Sequence, residues 1–253
     1  MIYNVHNIEE QITVKESITP KCSDFKILTL FPDMWPGPLG YSLFGKGLKA
    51  GLWTYEVLNI RQFSTNIHQT VDSPPCGGGG GMILRPDVTS LAIDEVRKQK
   101  NDLLILCMSP RGIPLTQSLV LQLASQSSLG ILCGRFEGVD QRVIDNRNIM
   151  EVSIGDFILS GGDIPAMALI EAILRVLPGI MGNPDCHNHD SFSNGLLEHH
   201  QYTKPNIWEG ASVPKVLLSG NHTYISQYRL QESENITHKR RPDLWEKYCN
   251  NMK

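Results

Sequence analysis

The sequence predicts an α/β protein whose sheet is mostly parallel, followed by a smaller helical segment. Short apolar runs alternate with longer segments of helical periodicity along residues 26–133, and this alternation is typical of strands joined by crossover helices. Residues 182–195 are polar and rich in turn-forming residues, whereas residues 196–253 are polar with a helical pattern. A boundary between two domains is therefore predicted near residue 182.

The elements of the first domain are predicted in a regular order. Strands are expected at residues 26–31, 54–60, 103–108 and 130–133. Helices are expected at residues 39–50, 87–98, 115–125 and 167–177, the last of them just behind Pro165, which suits a first helical turn. The predicted organisation is an N-terminal extension at 1–21, a first domain at 22–181, a linker at 182–192 and a helical second domain at 193–253.

The composition is typical of a soluble globular protein. Of the 253 residues, 41% are hydrophobic and 19% are charged. No apolar run approaches the ~20 residues of a membrane-spanning helix, and the N-terminus lacks the layout of a signal peptide. A cytoplasmic protein without a membrane partner is therefore expected. The six cysteines form no C-x-x-C pair, so they are expected to be reduced thiols rather than disulfides or zinc ligands.

Residues 153–165, SIGDFILSGGDIP, are the segment that most strongly indicates a binding site. Gly155, Gly161 and Gly162 remove side chains around a short apolar centre, so that backbone can approach a ligand closely. Side chains at Gly155 and Gly161 are expected to be poorly tolerated. On its own, however, the segment fits an ordinary pair of turns equally well, since it matches neither a dinucleotide-binding pattern nor a Walker loop.

Two other loops follow predicted strands. The strand at 130–133 is followed by a glycine and a charged loop at 134–142, and the strand at 103–108 ends in Ser-Pro-Arg-Gly at 109–112. Open α/β sheets bind ligands at the carboxyl ends of their strands. These two loops and residues 153–165 are therefore expected to converge on one ligand.

Four motifs occur in a fixed order along the chain. They are the glycine run at 77–81 before Met82, CGRFEGVDQRV at 133–143, SIGDFILSGGDIPAM at 153–167 and LLSGNH at 217–222. Together they resemble the bacterial tRNA (guanine-N1)-methyltransferase family, TrmD, of the SPOUT class, over nearly the whole chain. The resemblance implies transfer of the methyl group of S-adenosyl-L-methionine to N1 of the guanine 3′ of the anticodon, at tRNA position 37. It also implies a trefoil-knotted methyltransferase domain, a linker that carries the catalytic base, a tRNA-binding C-terminal domain and a homodimer with active sites at the subunit interface.

The resemblance assigns the cofactor to the three converging loops. Backbone N–H and C=O groups can recognise the edges of adenine without polar side chains. The residues expected to bind S-adenosyl-L-methionine are Met108, Ser109, Pro110, Gly134, Glu137, Ser153, Ile154, Gly155, Asp156, Phe157, Ile158, Leu159, Gly161, Gly162 and Pro165. The family often has tyrosine where this chain has Phe157 and Cys107, so a hydroxyl is absent at both positions, while backbone contacts are expected to remain.

Asp190 and Arg175 stand at the positions of the catalytic residues of the family. Guanine N1 carries a proton, so a carboxylate within about 3 Å can serve as its general base. An arginine beside O6 can stabilise the charge that develops on the ring. From the residues alone, Asp190 fits a helix cap or a solvated acid as well, and Arg175 fits a side chain that extends from a helix into solvent.

Two other classes of function stay open. The polar cluster at Asp185, Cys186, His187, His189 and Asp190 suggests a metal-dependent hydrolase, although its spacing matches no zinc motif. A non-catalytic RNA-binding module is the second alternative, but such a module would be expected to lose the base or the pocket glycines, and both are present.

The features that would contact RNA are local rather than global. The net charge is −3, yet residues 238–241 form a short basic patch. The glycine run at 77–81 is either a phosphate cradle made of backbone N–H groups or a flexible connection. The chain departs from the family at Gly80, where a proline is usual, and at Ser226 and Gln227, where basic residues are usual.

Overall fold

The structure, a computed structural model, describes residues 19–182 and 190–251. The chain divides into two compact units, the first ending at Gly182 and the second beginning at Asn183. None of the helices in the described residues is both long and apolar enough to cross a bilayer.

The first unit alternates strands and helices. Its strands are β1 (Asp24–Thr29), β2 (Thr54–Asn59), β3 (Asp72–Ser73), β4 (Ile83–Leu84), β5 (Leu104–Pro114), β6 (Leu129–Leu132) and β7 (Met150–Ser153). Its α-helices are α1 (Ser42–Lys49), α2 (Pro86–Gln99), α3 (Gln117–Ala124), α4 (Gln141–Asn146) and α5 (Asp163–Val176). Short 3₁₀ helices lie at Pro32–Met34, Gly37–Gly40 and Ile60–Phe63.

Five of these strands form a parallel sheet in the order β2-β1-β6-β5-β7. Strand β3 pairs with β4 in a separate antiparallel ribbon. The α/β class with a parallel sheet is therefore confirmed. Strands β6, β5 and β7 are neighbours, so their carboxyl ends lie side by side at one edge of the sheet.

Helices cover both faces of this sheet. In β1, Phe25 and Ile27 point into one hydrophobic core and Leu28 into the other, as the two-residue period of a strand requires. The first core contains the apolar faces of α3 and α5, and the second contains those of α2 and α4. The result is a three-layer α/β/α unit that buries the sheet between two helical layers.

The structure differs from the predicted elements at β5 and β7. The strand predicted to end at residue 108 continues to Pro114 through a bulge, and both Met108 and Ile113 pair with Val152. The bulge contains a proline and a glycine, which in a sequence are typical of the end of a strand. The partner strand β7 is absent from the predicted elements, because four residues with one charge carry a weak apolar pattern. Helix α5 begins at Asp163, so Pro165 lies in its first turn, as expected.

Among the described residues of the second unit, α-helices occur only from His222 onward. This unit contains a short hairpin of β8 (Ile207–Trp208) and β9 (Ala211–Ser212), a 3₁₀ helix at Lys215–Leu218, and the helices α6 (His222–Arg240) and α7 (Pro242–Asn251). The helical pattern predicted from residue 196 was therefore wrong up to about residue 221. Asn221 caps α6 by accepting a hydrogen bond from the Tyr224 amide at 3.2 Å.

Candidate active site

A cavity of about 340 Å³ lies at the carboxyl ends of β5, β6 and β7, beside the start of α5. Its lining includes every residue of the expected cofactor set except Asp156: Met108, Ser109, Pro110, Gly134, Glu137, Ser153, Ile154, Gly155, Phe157, Ile158, Leu159, Gly161, Gly162 and Pro165. Asp156 is exposed and does not line the cavity. The three loops that follow these strands therefore do converge, as the strand-end argument predicted.

The loop after β7 lines one side of the cavity. Its apolar side chains are largely exposed, Ile158 by 79% and Phe157 by 53%. Ser153 fixes the start of the loop, because its hydroxyl accepts from the Gly155 amide at 3.2 Å and donates to the Gly155 carbonyl at 3.1 Å. Gly155 has a φ of +149°, which L residues rarely adopt. The expected intolerance of a side chain there has a conformational cause.

The loops after β6 and β7 touch through their backbones. The Gly162 amide donates to the Gly134 carbonyl at 2.8 Å, and Arg135 forms an isolated antiparallel bridge with Gly161. A Cβ on Gly162 would lie 2.9 Å from the Cys133 Cα, and a Cβ on Gly161 would lie 2.4 Å from the Arg135 side chain. Gly162 therefore has no room for a side chain, because backbone of the opposing loop lies against it. A side chain at Gly161 would instead have to displace Arg135.

Charged residues outside the predicted cofactor set also line the cavity. Arg111 and Glu151 form an ion pair across its wall, with 3.3 Å between guanidinium and carboxylate. Arg135 lines the cavity and pairs with Asp163, which is buried behind it. Glu151 lies on β7, so failure to predict that strand hid this residue. Arg135 is next to Gly134 in the motif, and that adjacency was the available signal.

The glycine run ends against the loop after β6. The Glu137 amide donates to the Met82 carbonyl at 2.8 Å, and the Leu84 amide donates to the Gly138 carbonyl at 2.9 Å. A Cβ on Gly81 would collide with the Glu137 side chain at 2.5 Å. The run is thus anchored at its C-terminal end to the wall of the cavity, which a purely flexible connection would not require.

Comparison with known proteins agrees with this geometry. The model of the family described as tRNA (Guanine-1)-methyltransferase TrmD matches residues 23–247. The chain belongs to this TrmD family. It is similar to a tRNA (guanine-N(1)-)-methyltransferase of Brucella ovis, with 52% identity over 90% of this chain and 93% of the relative. Proteins of the same description from Brucella melitensis biotype 1 and Brucella abortus strain S19 are also 52% identical over 90% of this chain, covering 93% and 92% of their own lengths.

The two residues that the TrmD resemblance names as catalytic lie on different units. Arg175 is in the last turn of α5 and is partly buried. Asp190 begins the described part of the second unit, is partly buried, and accepts a hydrogen bond from the Ser193 amide through its carbonyl at 3.2 Å. Ser191 secures this turn by accepting from the Glu198 amide at 2.9 Å. The catalytic roles of both residues stay predictions.

The metal-cluster hypothesis falls mostly on residues 185–189, which lie outside the described residues. Among residues 19–182 and 190–251, no group of three or more His, Cys, Asp or Glu side chains is arranged to hold a metal ion. TrmD membership favours the methyltransferase interpretation of this segment.

Two buried thiols, Cys107 and Cys133, lie beside the cavity at the carboxyl ends of β5 and β6. Burial raises the pKa of Cys107 from its ordinary 9.0 to about 12, and burial next to Asp163 raises the pKa of Cys133 well above 9.0. Both thiols therefore stay protonated at neutral pH and are poor nucleophiles. The unfolded chain loses these thiol protons near pH 9, whereas the folded protein keeps them. The two thiols therefore stabilise the folded state below pH 9, and this contribution to the free energy of unfolding is lost as the pH rises from 9 towards 12.

Alkylation with iodoacetamide at pH 8 should distinguish the buried thiols from the exposed Cys76. We expect Cys76 to be modified first, and Cys107 and Cys133 only after unfolding, because the thiolate is the reactive form. Peptide mapping by mass spectrometry gives the order of labelling. Modification of Cys107 as fast as Cys76 in the folded protein would contradict the burial argument.

Proposed function

We propose that this protein is an S-adenosyl-L-methionine-dependent tRNA (guanine-N1)-methyltransferase that modifies the guanine 3′ of the anticodon, at tRNA position 37. The observation that carries the proposal is the cavity, which gathers the expected cofactor residues from three separate loops. Family membership supplies the reaction class. A cytoplasmic location follows from the proposed substrate.

The cavity suits the proposed cofactor. Its volume of about 340 Å³ falls within the roughly 300–1,000 Å³ of small-molecule sites. Ile154 and Leu159 line the cavity, and their backbone groups are proposed to bind the edges of adenine, while Gly134 adds no side chain to the lining. When bound, S-adenosyl-L-methionine supplies a methyl group activated by its sulfonium charge.

The protein's part in the reaction is to prepare guanine as a nucleophile. Asp190 removes the N1 proton, because a neutral N1–H has no lone pair to offer the methyl group. Arg175 stabilises the negative charge that spreads to O6 as the proton leaves. These assignments rest on the family positions of the two residues.

We further propose that the first unit is a trefoil-knotted domain of the SPOUT class. The backbone contact between Gly134 and Gly162 supports this proposal, since the chain entering α5 passes directly against the loop after β6. Glycine is present on both sides of this contact, which lets the two backbones approach within hydrogen-bonding distance.

The proposed partners are tRNA and a second copy of this chain. Phe157, Ile158 and Ile164 expose 53%, 79% and 54% of their surfaces around the cavity, and an exposed apolar patch of this kind marks an interaction surface. A homodimer would cover it. The basic end of α6, which includes His238, Lys239 and Arg240, is the proposed contact for tRNA phosphates.

The direct test is methyl transfer from a labelled cofactor to a tRNA transcript with guanine at position 37 and at the third anticodon position. We expect 1-methylguanosine after nuclease digestion and mass spectrometry, and no product from a matched transcript with adenine at position 37. Absence of transfer despite RNA binding would favour a non-catalytic binding module. Stoichiometric metal in the purified protein, without transfer, would favour the hydrolase.

A mixing experiment tests the shared site. Asp190→Ala and Arg175→Ala chains are each expected to be inactive as homodimers, because every site lacks one catalytic group. If the two groups of a site come from different subunits, a heterodimer has one intact site, and an equimolar mixture should regain about a quarter of the wild-type rate. No recovery after confirmed subunit exchange would mean that each site is built within one chain.

A further inference from the structure

Asp163 is a buried carboxylate that the proposed reaction does not use. It begins α5 and is 1% exposed. One of its oxygens accepts from the Thr29 hydroxyl at 2.5 Å and from the Trp35 indole N–H at 3.2 Å. The other accepts from Arg135, with Nε at 3.2 Å and the terminal nitrogen at 3.1 Å. A buried charge is costly unless it is paired and hydrogen-bonded, and this one is satisfied on both oxygens.

Arg135 is held from several sides. Its side chain is 19% exposed, and its guanidinium carbon lies 4.3 Å above the centre of the Phe31 ring. The third guanidinium nitrogen donates to the Ser160 carbonyl at 3.4 Å. Planar guanidinium groups combine ion pairing with aromatic stacking in this way, and ammonium groups do so less well. The side chain is therefore restricted to one position.

The position of Arg135 determines where its loop runs. Arg135 directly follows Gly134, precedes Glu137 by two residues and forms the backbone bridge to Gly161. All four residues line the cavity. Asp163 lies outside the lining but binds Arg135 from behind. The ion pair thus connects the first residue of α5 to the loop after β6.

We propose that the Asp163–Arg135 ion pair is a positioning device that holds residues 134–139 in the cofactor-binding shape before the cofactor arrives. The inference rests on the proposed function and adds to it residues that act on binding rather than on methyl transfer. If the loop adopts the cofactor-binding shape only part of the time, the apparent affinity for the cofactor equals the intrinsic affinity multiplied by that fraction. Fixing the loop in advance removes that cost.

The test is a double-mutant cycle on cofactor affinity. Calorimetry would measure the dissociation constant of S-adenosyl-L-methionine for the wild type, Asp163→Asn, Arg135→Met and the double variant. We expect each single variant to bind about tenfold more weakly, as for a loop that is competent about a tenth of the time. If Asp163 acts through Arg135, the double variant binds no more weakly than Arg135→Met.

Kinetics separate positioning from catalysis. At saturating cofactor, Asp163→Asn should have a kcat within about twofold of the wild type, because bound cofactor reorders the loop, while its KM for the cofactor rises. Losses that multiply in the double variant would show that Asp163 acts on the site through Thr29 or Trp35, which overturns the proposal. Unchanged affinity in Asp163→Asn would overturn it as well.

Asp94→Asn is the matched control. It breaks another aspartate–arginine ion pair, in which Asp94 and Arg147 are joined by two contacts of 2.8 Å. This pair is more exposed than Asp163–Arg135 and lies outside the cavity lining, so the variant should leave cofactor affinity unchanged. If Asp163→Asn does not fold, amide hydrogen exchange in Arg135→Met tests whether the ion pair holds the loop in place. The amides of Glu137 and Gly138 should exchange at least about fivefold faster than in the wild type without cofactor, and unchanged protection contradicts the proposal. A wild type that binds no cofactor refutes the proposed function instead.

Discussion

Asp190→Ala is expected to lower the rate of methyl transfer at least about a hundredfold, because loss of a general base typically costs ~10²–10⁴ in rate. The carboxylate is proposed to act on guanine N1, so cofactor affinity should stay near the wild-type value. Single-turnover transfer of a labelled methyl group to tRNA measures the first quantity, and calorimetry with S-adenosyl-L-methionine measures the second.

The matched control for this variant is Asp243→Ala. Asp243 is an exposed acid of the same unit that pairs with Arg241 at 2.6 Å, and its loss should leave single-turnover chemistry unchanged. Near-normal turnover by Asp190→Ala would remove Asp190 from the mechanism. A parallel loss of cofactor binding would mean that this residue shapes the pocket rather than removing a proton.

Gly162→Ala is expected to weaken cofactor binding at least about a hundredfold or to prevent folding, because overpacking where nothing can yield is among the costly substitutions. A Cβ at this position would lie 2.9 Å from the Cys133 Cα and 2.9 Å from the Gly134 amide nitrogen. Both are backbone atoms of the opposing loop, so a change of rotamer cannot relieve the clash. Calorimetry and the melting temperature without ligand measure the two effects.

Gly161→Val and Gly182→Ala give a graded comparison. A Cβ at Gly161 meets the Arg135 side chain at 2.4 Å, so this variant should displace Arg135 and weaken cofactor binding more than it lowers the melting temperature. A Cβ on Gly182 would meet no atom of the described residues within 4 Å, and the alanine variant should behave as the wild type.

Wild-type cofactor affinity in Gly162→Ala would show that the cofactor pocket lies elsewhere.

Much of the candidate site was predictable because its signals are local. Glycine and proline restrict backbone geometry at their own positions, so the turns around Gly155 and Gly162 and the start of α5 near Pro165 could be inferred from sequence. Apolar runs indicated the buried strands β5 and β6. The convergence of their loops was predicted from the general rule that open α/β sheets bind ligands at the carboxyl ends of their strands, and not from any feature of the sequence that links one strand to another.

The sequence by itself determined the α/β class, the TrmD family and 14 of the 22 residues that line the cavity. Only the tertiary structure decided that β7 pairs with β5 across a bulge, which brings Glu151 opposite Arg111. It also decided that Asp163 meets Arg135, Thr29 and Trp35. Those partners are 28 to 134 residues apart in the chain. Local periodicity carries no information about such contacts, because they depend on which strands become neighbours and on how the helices close over them.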